Sequence, residues 1–295
     1  MTYQIRSAAA IHDISGVGKC SLTVALPVLS VCGVETSVLP TAVLSTHTGG
    51  FEGFTYRELT EDLLPMARHW KQVGCEFGAL YSGFLGSAAQ IGIVEQIFQM
   101  FQDKKTLVFV DPVMGDNGKL YRTYTPEMAD GMAGLCTAAD VVVPNLTEAS
   151  HLLGVPYREG PYSSGYVEDV LKRLCEMGPE MAVLTGISLD REQVGTACLD
   201  GRTGEMRFFF RQRVEGLYHG TGDLFASALL GGLLNGMCLF EACEIATEFT
   251  WRCILSTREL SKDTRFGPKF EIHLPWLAAR MERFRTTHLE GKQRP

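Results

Sequence analysis

His219-Gly220-Thr221-Gly222-Asp223-Leu224-Phe225 joins a tight glycine turn to an acid, and an apolar, helix-compatible run through Leu230 follows at once. Two glycines let the backbone turn freely, so that successive N–H groups can point into one concavity. A helix starting there leaves its first N–H groups unpaired and adds its positive dipole end, which together make a cradle for an anion. With Gly220, Thr221 and Gly222 as that cradle, Asp223 stands where it can take a proton from a nucleophile. This is the layout of phosphoryl transfer to a hydroxyl. The plainer alternative is a loop whose aspartate caps a helix.

Other polar residues fall where apolar runs stop. Asp111-Pro112-Val113-Met114-Gly115-Asp116 follows Leu107–Val110 and offers a charge beside a metal–phosphate complex, or a capped loop. Pro144-Asn145-Leu146-Thr147-Glu148 follows Val141–Val143. Asn145 and Glu148 are hard oxygen donors suited to Mg²⁺, directly or through its waters, whereas Thr147 as cap and Glu148 as a first-turn acid is the structural alternative. Thr185-Gly186 follows Met181–Leu184. Phe84, in Ser82-Gly83-Phe84-Leu85-Gly86-Ser87, is either core or an aromatic wall for a flat ligand. His47, in Ser45-Thr46-His47-Thr48-Gly49-Gly50, is a candidate general base but lacks a serine or cysteine nucleophile to pair with, so the plainer reading is a structural or solvent-facing residue.

Gly16-Val17-Gly18-Lys19-Cys20-Ser21 imitates a P-loop but fails it twice. Asp13 stands where the motif needs its first glycine, and Cys20 where it needs Ser or Thr. A Gly-rich turn after the first strand, with Asp13 and Ser15 facing a ligand, is the reading that remains.

The elements that would position these residues are short apolar runs alternating with helical patterns. Strands are expected at Ile5–Ile11, Glu35–Pro40, Ala79–Ser82, Thr106–Val110, Val141–Val143 and Met181–Thr185, with an edge hairpin of Gly195–Leu199 and Met206–Phe210. Helices are expected at Ala89–Gln102, Pro126–Leu135, Thr147–Leu153, Tyr166–Met177, Asp223–Asn235, Glu241–Glu259 and Pro275–Arg285. Such alternation implies a three-layer α/β/α fold around a mostly parallel sheet, with ligands bound outside the strands' carboxyl ends. No linker or repeat divides residues 1–295, which are read as one domain.

The net charge of −7 argues against a nucleic-acid binder. Nine cysteines, none in a C-x-x-C spacing, fit reduced thiols of a cytoplasmic protein. The first residues do not resemble a signal peptide, and the apolar run Leu22–Val34 is too short to span a membrane.

Asp111-Pro112-Val113-Met114-Gly115, Pro144-Asn145-Leu146-Thr147-Glu148 and Gly220-Thr221-Gly222-Asp223, in that order, resemble the ribokinase-like superfamily, specifically its vitamin-kinase branch of pyridoxal, pyridoxamine and hydroxymethylpyrimidine kinases. Thr46-His47-Thr48-Gly49 and Ser82–Ser87 are similar to pyridoxal-kinase segments in particular. The likeness covers most of the chain from about Ala8 into the helix after Glu241. It implies Asp223 as catalytic base, Gly220 to Gly222 as anion hole, Asp111 and Glu148 beside Mg–ATP as metal-facing acids, and Asn145 and Thr185 near the phosphates. It places Asp13, Thr48 and Phe84 at the ring substrate. Family members are usually cytosolic homodimers, often helped by a monovalent cation such as K⁺. Two departures stand out: Asp13 replaces a common serine, and Phe84 a common tyrosine. The sugar-kinase branch fits less well, because an early Gly-Gly sugar clamp is missing.

The expected function is therefore ATP-dependent phosphorylation of the hydroxymethyl group of a vitamin B6 vitamer. The alternatives are a hydroxymethylpyrimidine kinase, which shares the Asp-x-Ser-Gly start at Asp13, and a binding module on the same fold.

Overall fold

The computed structural model describes residues 6–291, with side chains described through 287, so Ile5, the expected start of the first strand, lies outside the described residues. β1 (Arg6–Val17) leads through α1 (Leu22–Val31) to β2 (Val34–Thr46), and β3 (Tyr56–Glu58) precedes α2 (Thr60–Gln72). Next come β4 (Ala79–Ser82), α3 (Ala88–Phe101), β5 (Leu107–Val110) and the two-residue strands β6 (Gly115–Asp116) and β7 (Lys119–Leu120). They are followed by α4 (Pro126–Thr137), β8 (Val141–Val142), α5 (Leu146–Leu152), α6 (Ser164–Glu176) and β9 (Met181–Ile187). Then come β10 (Gln193–Asp200), β11 (Glu205–Gln212), α7 (Thr221–Leu234), α8 (Leu239–Leu260) and α9 (Leu274–Gly291).

The main sheet runs β11-β10-β9-β8-β5-β4-β1-β2-β3. Its six central strands pair in parallel, while β3 at one edge and the β10–β11 hairpin at the other are antiparallel. The expected three-layer α/β/α class is what the chain adopts. Its cause is visible in β1, where alternate residues serve opposite cores. Ala9 and Ile11 pack with Leu63, Val94, Phe98 and Met132, whereas Ala8 and Ala10 pack with Val28, Leu229, Ala246 and Phe249. A strand buried on both faces must be apolar throughout. Truncating a fully buried ring such as Phe249 to alanine would cost about 3–5 kcal/mol.

β2 runs six residues past its expected end at Pro40, and β3 is an added edge strand; three further regions differ from expectation. β1 does not stop before Asp13: pairing with β2 resumes after an irregularity between His12 and Ile14 and continues to Val17. The glycine turn therefore starts at Gly18, with Gly16 still in the strand. α1 and α2 lie where no helix was expected, and each carries a proline at its sixth residue, Pro27 and Pro65. Losing one N–H near the start of a helix is outweighed by burial of Leu22, Val24, Ala25, Val28 and Leu29 in α1. The third is the β6–β7 hairpin, turned by Asn117 (φ 50°) and Gly118 (φ 75°), an Asn-Gly pair suited to a two-residue turn.

Candidate functional site

At the carboxyl ends of the parallel strands lies a cavity of about 1100 Å³. Asp13 and Ser15 of β1, His47 and Thr48 after β2, Phe84 after β4, Asp111 after β5, Asn145 and Glu148 at α5, and Thr185 of β9 all line it. So do Gly220, Thr221, Gly222 and Asp223. Every residue singled out from the sequence for the site meets in this one space, stretched along the sheet edge from β2 to β10.

α7 starts at Gly220, whose φ of 82° is left-handed. A side chain there would be strained, and its Cβ would lie 2.1 Å from the carbonyl oxygen of Lys19, so only glycine fits. A Cβ on Gly222 would meet nothing within 4 Å, so what its missing side chain leaves is open space in the cavity. Thr221 turns its hydroxyl back onto the carbonyl of Tyr218 (3.0 Å), leaving its N–H as the group it can offer a ligand. The first N–H to find a carbonyl is that of Leu224, which donates to Gly220 (3.1 Å). The preceding N–H groups point out of the helix end, where a positive potential favours an anion.

Asp223 is the third residue of α7. Burial raises its pKa from 3.8 to about 7, opposed by the facing N–H of Ser21 and reinforced by the negative charge of Asp13. Asp111 is likewise pushed well up by burial and by Glu148 and Asp223. Its carboxylate makes no hydrogen bond among the described residues and opens onto the cavity. Asp13 is raised by burial, while the hydroxyls of Ser21 and Ser15 work the other way; Ser15 donates to it at 2.9 Å.

Glu148 is differently placed. Its two oxygens accept the N–H groups of Met114 (3.0 Å) and Asn145 (2.8 Å), and the Asn145 side chain accepts the N–H of Glu148 (3.0 Å). This reciprocal pair caps α5. The cap is thus Asn145 and not Thr147, whose hydroxyl accepts instead from the N–H of Gly118 (2.9 Å) and docks the β6–β7 turn. The other end of the Asn145 amide donates to Gly115 (2.8 Å). Burial pushes Glu148 from 4.5 to about 8 in spite of those backbone donors.

Among the described residues no three His, Cys, Asp or Glu side chains converge closely enough to hold a metal by themselves. Asp111, with Glu148 behind it, suits an ion completed by water and by ligand oxygens, the ordinary habit of Mg²⁺. Thr185 is fixed by its N–H on the Pro144 carbonyl (3.0 Å). His47 has both ring nitrogens engaged: Nδ1 accepts from Gly49 (3.0 Å), so Nε2 carries the hydrogen donated to Arg265 (2.7 Å). Burial lowers its pKa. It ties the loop after β2 to the segment around Arg265 and has no nitrogen free to act as a base.

The sequence did not single out Lys119 and Arg122, which line the cavity from the hairpin arm and make no ion pair among the described residues. Nor did it single out Val194, Leu217, Thr250, Trp251 and Ile254, which line it beside β10 and α8. Nothing in their types or spacing signals a ligand; only the fold collects them. All nine cysteines are free, and Cys20 alone among them lines the cavity.

The model of the family described as phosphomethylpyrimidine kinase matches residues 28–268. A Bordetella avium pyridoxine/pyridoxal/pyridoxamine kinase is 28% identical over 260 residues, covering 82% of each chain. The crystal structure of a Bacteroides thetaiotaomicron protein in a form with pyridoxal superposes with a TM-score of 0.89 at 36% identity, over 93% of this chain and 96% of that one. Pyridoxal kinase from Lactobacillus plantarum gives 0.86 at 31% identity, over 95% and 99%. With a family match across most of its length and the same architecture in these structures, this chain belongs to the phosphomethylpyrimidine kinase family.

Proposed function

We propose that the protein is an ATP-dependent kinase that phosphorylates the hydroxymethyl group of a vitamin B6 vitamer. The observation that carries this reading is Asp223, a buried acid with its pKa near 7, beside the unpaired N–H groups that open α7 onto the cavity. B6 kinases among the relatives, and pyridoxal in one similar structure, supply the substrate class.

In this reading Thr48, Phe84 and Asp13 hold the vitamer ring. Val194, Thr250 and Trp251 receive the nucleotide base, and Asn145 and Thr185 flank the phosphates. The N–H groups of Thr221, Gly222 and Asp223 hold the transferred phosphoryl group. Asp223 accepts the hydroxyl proton as the new oxygen–phosphorus bond forms and the bond to ADP breaks. Mg²⁺ carried in with ATP would neutralise phosphate charge beside Asp111 and Glu148. Lys119 and Arg122 supply further positive potential to a chain whose net charge is −7. We also read the enzyme as a cytoplasmic homodimer assisted by K⁺, to be tested by sedimentation and by exchanging K⁺ for Na⁺ in the assay.

The family description favours a second reading, a hydroxymethylpyrimidine kinase. ADP release measured with pyridoxal, pyridoxamine, pyridoxine and hydroxymethylpyrimidine separates the two. A B6 vitamer should give the highest kcat/KM. Preference for hydroxymethylpyrimidine would transfer the assignment, and no turnover with any of the four would remove it.

A further inference from the structure

The turn joining β1 to α1 holds two of the three non-glycine residues with positive φ among the described residues, Lys19 (36°) and Ser21 (52°). Such conformations persist only where the surroundings over-determine them, and they gather at functional sites. What holds this turn is visible on both sides. The Lys19 ammonium pairs with Glu271 at 2.7 Å, donates to the Pro268 carbonyl at 3.1 Å, and lies 5.4 Å from the Phe270 ring centroid. A Cβ on Gly267 would come within 2.7 Å of the Lys19 Cβ, and one on Gly220 within 2.1 Å of its carbonyl oxygen. The turn is therefore wedged between the segment before α9 and the first residue of the anion cradle. Ser21, bridged to Ile14 of β1, lines the cavity together with Asp223 and Asp13, whose raised pKa values its N–H and hydroxyl oppose.

We propose that Lys19-Cys20-Ser21 is a strap that positions the general base, with Lys19, anchored on Glu271 and Pro268, pressing its backbone against Gly220 at the head of the helix that carries Asp223. Lys19 does not line the cavity, so it acts as a positioning residue. A partly exposed ion pair contributes little to stability, so its loss should register in rate more than in folding. Small misplacements of a reacting group are costly to rate.

This inference rests on Asp223 being the base, and the test separates the two. Lys19→Met and Glu271→Gln are made alone, and Lys19→Met is also combined with Asp223→Asn. Each single variant should lose about tenfold in kcat with KM for ATP and vitamer within about twofold of wild type. Lys19→Met should cost nothing further where Asp223 is already asparagine. Wild-type kcat in both single variants overturns the proposal, as does a change confined to KM or a multiplied loss in the double variant. If Lys19→Met does not fold, Glu271→Gln carries the same kcat-against-KM test. Full activity in Asp223→Asn alone would instead overturn the general-base reading and take the strap with it.

Discussion

α5 and α7 both begin at the cavity wall, and both carry an acid at their third residue, Glu148 and Asp223. In α5 the cap is Asn145, and cap and acid satisfy each other's N–H groups. Glu148 further takes the N–H of Met114, so it fastens the loop after β5 to the helix. In α7 the cap is Gly220, with no side chain to give, and the N–H groups that follow stay open beside an acid facing the cavity. The residue before the helix thus decides whether its positive end is consumed internally or left for a ligand. One helix end is structure holding a site together, and the other is the site.

On that contrast, the largest effect belongs to Asp223. Asp223→Asn should lower kcat by about 10²- to 10⁴-fold, the usual worth of a placed general base, with ATP affinity near wild type. A variant keeping half its kcat would end the contrast. In wild type, kcat/KM should rise as pH climbs through about 7, because the base must be ionised. The sign for stability is opposite. A carboxyl raised from 3.8 to about 7 favours folding most below pH 3.8, and that contribution is lost as pH rises through 7. Asp223→Asn should therefore melt higher than wild type at pH 8, a gain purchased with activity.

Next is the cradle itself. Alanine at position 222 meets no neighbour within 4 Å and is a better helix former than glycine by about 0.8–1 kcal/mol. Gly222→Ala should hold or raise Tm while its methyl intrudes on the anion space. The expected loss in kcat is about ten- to a hundredfold, short of what deleting an oxyanion donor outright costs. Gly220→Ala should instead destabilise, since φ is 82° and Lys19 is in the way. Similar behaviour of the two would mean that the glycines serve packing alone.

Glu148 sharpens the other half of the comparison. Glu148→Gln keeps the shape but sets an amide NH₂ against a backbone N–H, a loss of about 1–3 kcal/mol for an unsatisfied buried group. The penalty should shrink with pH. Wild-type Glu148, raised from 4.5 to about 8, itself loses stability across that window, whereas the glutamine does not titrate. Tm measured at pH 5 and pH 8 should show the gap between the two proteins narrowing. A constant gap, together with an unchanged Mg²⁺ requirement for half-maximal rate, would leave Glu148 as a cap and nothing more.

The sequence exposes this contrast only in part. Gly220-Thr221-Gly222-Asp223 is legible because glycine has few reasons to precede a helix. Asn145 and Glu148 have equally good structural reasons, and which reason prevails depends on Met114, thirty-four residues away in the chain. The parallel strands were legible as uniformly apolar runs, and the β10–β11 hairpin by its Asp200-Gly201 turn. α1 was hidden by Pro27, since local propensity spoke against a helix that burial on α7 and the sheet sustains. Lys119 and Arg122 were illegible, because lone cations in and just after a short hairpin gain meaning only when the turn docks on Thr147.

Vitamer choice carries the smallest expected effect. Asp13 is 4% exposed, lines the cavity and is held by Ser15 at 2.9 Å, so its carboxylate is oriented and not free to swing away. Burial raises its pKa, so a positive partner would relieve the charged form. Pyridoxamine, with a protonated aminomethyl group, offers such a partner, and pyridoxal's aldehyde offers only an acceptor. A charge-assisted hydrogen bond is worth about 1.5–3 kcal/mol against about 1 for a neutral one. Asp13→Ser keeps a polar partner and removes the charge, so the difference to be lost is about 0.5–2 kcal/mol, roughly two- to thirtyfold in kcat/KM. That loss should fall on pyridoxamine and largely spare pyridoxal, measured in parallel on both proteins. An equal loss for both vitamers would return Asp13 to holding Ser15 and Ser21 in place beside the base.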